Sequence, residues 1–211
     1  MARSRPSRGR VLAATGALVV LLALIVAQLV IPAAVSRSIE ARLESGGGTA
    51  RVEVSALPAA RLLLGSGSRL EIRGAGLSLP IGEDSPDGVF GRLDDFGEVG
   101  VELADIRLGP LALDSLALRG SGSSNYSFEA MGTTDARSLA IFGASRLDVP
   151  GAGLLGFVPG DAGEQSIDLD LDMELRSDDG RIVVTAGGGE IAGFDTGPLA
   201  ALITSAIVVR I

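Results

Sequence analysis

The side chains with the greatest chemical potential lie in one run. Between Ser166 and Arg176, Asp168, Asp170, Asp172 and Glu174 alternate with Ile167, Leu169, Leu171, Met173 and Leu175. Carboxylates can ligate a hard cation, or act as a close acid–base pair on a glycosidic bond. Calcium loops, however, fold their carboxylates around one point with a glycine-driven turn. Here every second residue is large and apolar. The run therefore predicts a strand with carboxylates about 6.7 Å apart along one face. The expectation is a solvated outer face; metal ligation is the alternative, and no metal is assigned.

Other chemistry is removed by absence. All 18 basic residues are Arg, and the chain has no Lys, His, Cys or Trp. A Ser-His-Asp triad lacks its base and a thiol mechanism its nucleophile. Schiff-base chemistry and a Walker loop lack their Lys. Typical zinc sites draw on Cys or His. Only carboxylate chemistry remains, and one Tyr with six Phe is a poor supply of rings for a sugar site. A non-enzymatic chain without cofactor is expected. Stability must come from burial and hydrogen bonds, since no disulfide can form. The Ala, Gly, Arg and Leu bias with no Lys fits a high-GC bacterial genome.

Such a chain needs something to place it, and the N-terminus supplies it. Residues 11–31 carry no charge, and Thr15 and Gln28 are their only clearly polar side chains. At about 1.5 Å per residue they span roughly the 30 Å hydrocarbon core of a bilayer. Arg3, Arg5, Arg8 and Arg10 precede them, with no acid. Positive charge stays cytoplasmic. Residues 1–10 are thus expected as a cytoplasmic tail, 11–31 as a transmembrane anchor, and 35–211 as one extracytoplasmic domain. The alternative is a signal peptide cut near Ala34, although such apolar regions usually run to about 7–15 residues. Beyond the anchor, 14 Arg face all 26 acids. That acidity argues against nucleic acid as a partner and against general adhesion to anionic headgroups.

The rest reads as α+β: one domain with a long curved antiparallel sheet wrapping a few short helices. A short helix over 35–45 leads out of the membrane, ended by Gly46, Gly47 and Gly48. A strand over 51–56 and a short apolar helix over 57–64 follow. A second strand, 69–79, is broken at Gly74-Ala75-Gly76, the sign of a bulge. Residues 80–95 read as a loop. Strands over 99–108 and 111–119 slip phase near Asp105 and between Leu113 and Leu116. Residues 125–130 form a strand, 135–143 a short helix capped by Asp135, and 166–176 the cleanest strand. Asp178-Asp179-Gly180 signals a hairpin into 181–186. A final apolar helix covers 196–209.

Aliphatic residues dominate and aromatics are scarce, which suits either an ordinary core or a channel for acyl chains. For the second reading, Leu70, Ile72, Val101, Leu103 and Phe128 are the inward sheet residues. Leu57, Leu62, Leu63 and Leu64, with Phe142 and the group Leu154, Leu155, Phe157 and Val158, would form a cavity rim or a membrane-facing lip. A phosphate would call for Arg, and Arg69 leads the candidates, with Arg61 and Arg73.

The layout also resembles a known family. A membrane anchor leads to a short helix ending in Leu43-Glu44, a strand with Val52 and Val54, and a Pro-containing apolar helix from Leu57-Pro58 to Leu63-Leu64-Gly65. A strand with Leu70 and Ile72 comes next, and residues 125–139 resemble the family's strand leading into a short helix. Together they resemble the actinobacterial LmeA-like phospholipid-binding family of the cell envelope. The chain departs from it in carrying Leu57-Pro58-Ala59 where Phe-Pro-Phe is usual. The resemblance implies a periplasmic, non-enzymatic binder of phospholipid or another acyl lipid, with a curved sheet around an apolar cavity. A structural module docking another envelope protein, of unknown identity, through a sheet edge or its acidic face is the alternative. A carboxylate enzyme is a third reading, and it requires a polar cleft with two close acids.

Overall fold

The anchor and the short helix expected to follow it are one element. The computed structural model describes residues 8–79, 91–122, 124–135, 166–187, 190–191, 194–195, 203–204 and 207. Helix α1 runs Arg8–Leu43, 36 residues, with Pro32 inside it. Its length is about 54 Å, well beyond a bilayer's hydrocarbon thickness. Proline removes one helical hydrogen bond but does not end the helix here. Ile31, Val35, Ile39 and Leu43 recur on one face. Ile39 and Leu43 are buried, and Ile31 and Val35 pack half-buried against the same core. Burying a side chain of this size contributes roughly 1.5–3 kcal/mol. Ile39 and Leu43 therefore hold the C-terminal half of α1 more strongly than any single hydrogen bond at the junction.

Strand β1 (Thr49–Ser55) stands at one end of the sheet beside α1. An edge strand offers unpaired N–H groups to any passing strand. Here α1 and the 3₁₀ turn that follows it cover them: Val52 N–H donates to Glu40 Oε1 at 2.8 Å and Ala50 N–H to Glu44 Oε1 at 2.8 Å. Helix and sheet edge are thereby fastened by carboxylates as well as by packing.

The remaining described strands are β2 (Arg69–Ala75), β3 (Ser78–Leu79), β4 (Glu98–Leu108), β5 (Leu111–Ser121), β6 (Asn125–Asp135), β7 (Ser166–Asp178) and β8 (Arg181–Gly187). A two-stranded ribbon, β9 (Glu190–Ile191) with β10 (Phe194–Asp195), is separate. The eight-stranded sheet has the order β1-β2-β4-β5-β6-β7-β8, with β3 also paired to β4. From β4 to β8 it is the expected antiparallel meander. It is nevertheless a mixed sheet, because β2 and β3 both run parallel to β4. Residues 80–97 separate β3 from β4 and include a four-residue helix, α2 (Gly91–Asp94). That is the long connection a parallel pair requires.

The phase slips seen in the sequence fall on one line across the sheet. Leu103 pairs with Leu116, and the next inward pair is Ile106 with Leu113, three residues on along both strands. Asp105, at φ 51°, and Asp114 are the extra residues. On β2 and β3, Gly76 at φ 68° stands at the same level. Strand β6 does not skip, so its pairing with β5 shifts between Leu113 and Ser115. A residue inserted into one strand alone would turn its later side chains to the wrong face. Skipping β3, β4 and β5 together keeps every leucine on the same side while creasing the sheet. Gly132 on β6 faces Leu113 at this line, and a Cβ there would lie 2.2 Å from the Ala112 carbonyl oxygen.

One face is consequently a continuous aliphatic core. Phe128 is its largest fully buried side chain. Helical residues at 203, 204 and 207 are buried, and Ile203 and Ile207 belong to the same core, in line with the apolar helix expected over 196–209. The opposite face carries the charge. Asp168, Asp170, Asp172 and Glu174 are all exposed there, spread along β7 as the alternation predicts. The hairpin at Asp179-Gly180 is also as expected, both residues having positive φ. The strand expected over 125–130 extends to Asp135, and the short helix expected from there to residue 143 lies, beyond Asp135, outside the described residues. Phe142 and the 154–158 group lie outside the described residues.

The end of β6 is tied down by polar contacts. Tyr126 Oη donates to Asp94 Oδ1 at 2.8 Å, and Ser177 Oγ donates to Asp94 Oδ2. One carboxylate thus joins α2, β6 and β7. Burial, then the hydrogen bond to Asp94, pushes the phenol well above its ordinary value. A raised pKa in the folded chain contributes stability that is complete below about pH 10, the unfolded value, and is lost as pH rises beyond it. Tyr126 is the chain's single Tyr, with no Trp to interfere. Tyrosinate absorbance at 295 nm should therefore stay flat through pH 10 in the folded protein and titrate near pH 10 after denaturation. A folded chain titrating like the denatured one would contradict this environment.

Candidate membrane-proximal site

Exposed apolar surface is concentrated at one end of the molecule. The stretch Gly16–Gly46 of the chain holds a window of mean hydropathy 2.8 with none of it buried. That separates it from the core helix of a soluble domain. It is the one candidate span among the described residues. Leu18 to Val30 present side chains around the whole helix, as a lipid-facing segment does.

The first domain contact on this helix falls inside the apolar run. Ala27 and Gln28 are half-buried, whereas Gly16 to Val26 are all exposed. They meet the 3₁₀ segment Ala59–Leu64, which the sequence predicted as a short apolar helix. Ala59 N–H donates to Gln28 Oε1 at 3.0 Å. The bond serves both partners: a helix start has unpaired N–H groups, and a lone amide in an apolar span needs a donor. Leu62 turns inward and joins the core. Gly65 closes the segment at φ 77°, and its N–H donates to the Leu62 carbonyl at 3.1 Å.

The other leucines of this segment face out. Leu57 is 80% exposed, Leu63 69% and Leu64 82%. Beside them lies Arg61, also exposed. Three open leucines within eight residues, in a segment packed against an apolar helix, concentrate exposed apolar side chains there.

The remaining sequence-predicted residues do not join this surface. Leu70, Ile72, Val101 and Phe128 have no exposed area and Leu103 has almost none; they pack together as core. Arg69 and Arg73 stand on the charged face, because neighbouring residues of a strand point to opposite sides. Arg69 binds Glu98 at 2.7 Å, which holds its guanidinium above the ordinary value, chiefly through the hydrogen bond. Arg73 pairs with Glu71 and with Glu102 at 3.6 Å. Arg119, which the sequence reading passed over, links Glu102 at 3.2 Å to Glu129 at 3.6 Å. Arg69, Glu71, Glu98, Glu102 and Arg119 of this lattice line an open hollow of about 770 Å³ over β2, β4, β5, β6, β7 and β8. Its signal was available in the polar phase of β2, where Arg69, Glu71 and Arg73 alternate with buried Leu70 and Ile72. The Gln28–Ala59 contact was signalled only by a lone amide in an apolar run.

No protein-family model, curated protein or solved structure matches the chain.

Replacing Gln28 by Leu keeps the span apolar but leaves the Ala59 N–H without its acceptor. The expected cost is about 1–3 kcal/mol, felt locally. Hydrogen exchange should speed up over Ala59–Leu64 and stay unchanged in β4–β7. Unchanged exchange at Ala59 would show that the contact holds nothing.

Proposed function

We propose that this chain is a single-pass membrane protein of the extracytoplasmic face that binds phospholipid where its domain meets the bilayer. The observation that carries this reading is the unbroken α1: the lipid-facing segment and the core-forming segment are one helix. The arginines before the span favour a cytoplasmic N-terminus. Retention of the segment fits the same geometry, because cleavage after Ala34 would remove Gln28 and Ile31 from their contacts. The exposed leucines next to the anchor supply apolar surface for acyl chains, and Arg61 among them is the cation placed to meet a phosphate. The role is binding rather than catalysis, in keeping with a chain that has no His, Cys or Lys. The resemblance to the LmeA-like envelope proteins points the same way.

The hollow on the charged face favours a second reading, in which the domain docks another envelope protein. Arg69 and Arg119 in it already have carboxylate partners, so docking on them would exchange existing ion pairs for new ones, a weak gain at an exposed surface.

Two measurements test the first reading. The intact mass of the chain from the membrane fraction should include the N-terminal segment; a mature chain beginning at Val35 would contradict the anchor. Native mass spectrometry after detergent exchange should find phospholipid bound at a fixed ratio. Protein that emerges lipid-free and takes none up from vesicles would overturn lipid binding.

A further inference from the structure

We infer that the segment 57–64 is a second membrane-inserting element, with Leu57, Leu63 and Leu64 lying among the acyl chains of the leaflet from which α1 emerges. The inference rests on the reading of α1 as an anchor and adds the depth at which the domain sits.

The argument is one of length. Residues 11–31 span about 31 Å, just enough for the hydrocarbon core. Arg8 and Arg10 stand immediately before them, so the span cannot be extended on that side. Yet the domain already covers the helix from Ala27 onward, and Gln28 is bonded to Ala59 at 3.0 Å. Were the whole domain above the hydrocarbon, only residues 11–26 would remain to cross it. That is roughly 24 Å of helix, several ångströms short. The overlap of Ala27 to Ile31 amounts to about 7 Å along the axis. Whatever lies beside those residues therefore shares the outermost layer of the acyl region.

What lies there is suited to it. Leu57, Leu63 and Leu64 are the most exposed large apolar residues outside α1 among the described residues. Their segment packs against α1 at Gln28, beside the exposed Leu29 and Val30, so bilayer lipid is the occupant that meets both surfaces at once. The Ala59 N–H, which would be costly to bury unpaired, is already satisfied by Gln28. Arg61 is the one charged residue of the segment, and a long side chain can carry its head back to the phosphate layer.

The absence of Cys allows a direct test in the full chain. Single variants Leu57→Cys, Leu63→Cys, Leu64→Cys, Leu24→Cys in the anchor and Ser127→Cys on the charged face are labelled with an environment-sensitive fluorophore. They are reconstituted in phosphatidylcholine–phosphatidylglycerol vesicles with and without acyl-chain nitroxide lipid. All five positions are exposed, so none of the substitutions opens the core. Labels at 57, 63 and 64 should shift to the blue and lose intensity to the nitroxide as the Leu24 label does, while the Ser127 label stays bright. Quenching at Leu24 with lip labels that behave like Ser127 would overturn the insertion and leave the anchor standing. An unquenched Leu24 label would overturn the anchor and the insertion together.

Discussion

The structure depends on a single helix serving two solvents. From Gly16 to Val26 every residue of α1 is exposed. From Ala27 to Leu43 one face belongs to a packed core, while Glu40 and Glu44 close the open edge of β1. A flexible linker between anchor and domain would leave the domain free to tumble above the bilayer. A continuous helix denies it that freedom, because bending a helix sharply requires a specific break. Pro32 is the only residue in α1 that could furnish one, and the helix passes through it. The orientation of the sheet relative to the helix is therefore set by the packing of Ile39 and Leu43.

The sheet supports this arrangement through strict separation of its faces. The crease at Gly76, Asp105 and Asp114 bends three strands while keeping their leucines inward. Without matched skips, either β4 or β5 would present aliphatic side chains to water on the charged side. The result is a core built almost wholly of Leu, Ile and Val, with Phe128 and Tyr126 as its aromatic members among the described residues. Residues expected to line an acyl channel are part of this core. Their aliphatic character is explained by packing, and the exposed leucines are the smaller group beside α1.

Much of this was legible in the sequence, for physical reasons that also mark where legibility ended. The span 11–31 and the alternation of β7 are local patterns, and both appear where the residues place them. The three phase slips were also visible, since an inserted residue breaks a period of two whatever its neighbours do. That the slips align was not visible, because alignment depends on register between strands. The parallel pairing of β2 with β4 was hidden for the same reason: Leu70 and Ile72 read identically beside either kind of partner. Arg69, offered as a phosphate contact, stands on the charged face, because the pleat turns it to the opposite side from Leu70. Of the group Leu57, Leu62, Leu63 and Leu64, the structure leaves Leu57, Leu63 and Leu64 exposed and turns Leu62 inward, and only Gln28 reveals how far along α1 they sit.

The central claim is that anchor and domain move as one body. Paired spin labels at Leu21 and Thr185, introduced as cysteines into the Cys-free chain and measured by electron–electron resonance in nanodiscs, test it most directly. One narrow distance distribution, unchanged between detergent and bilayer, is the result this account predicts. A broad distribution, or one that changes with the surrounding lipid, would mean that the helix is hinged and that its continuity does not hold the domain in place.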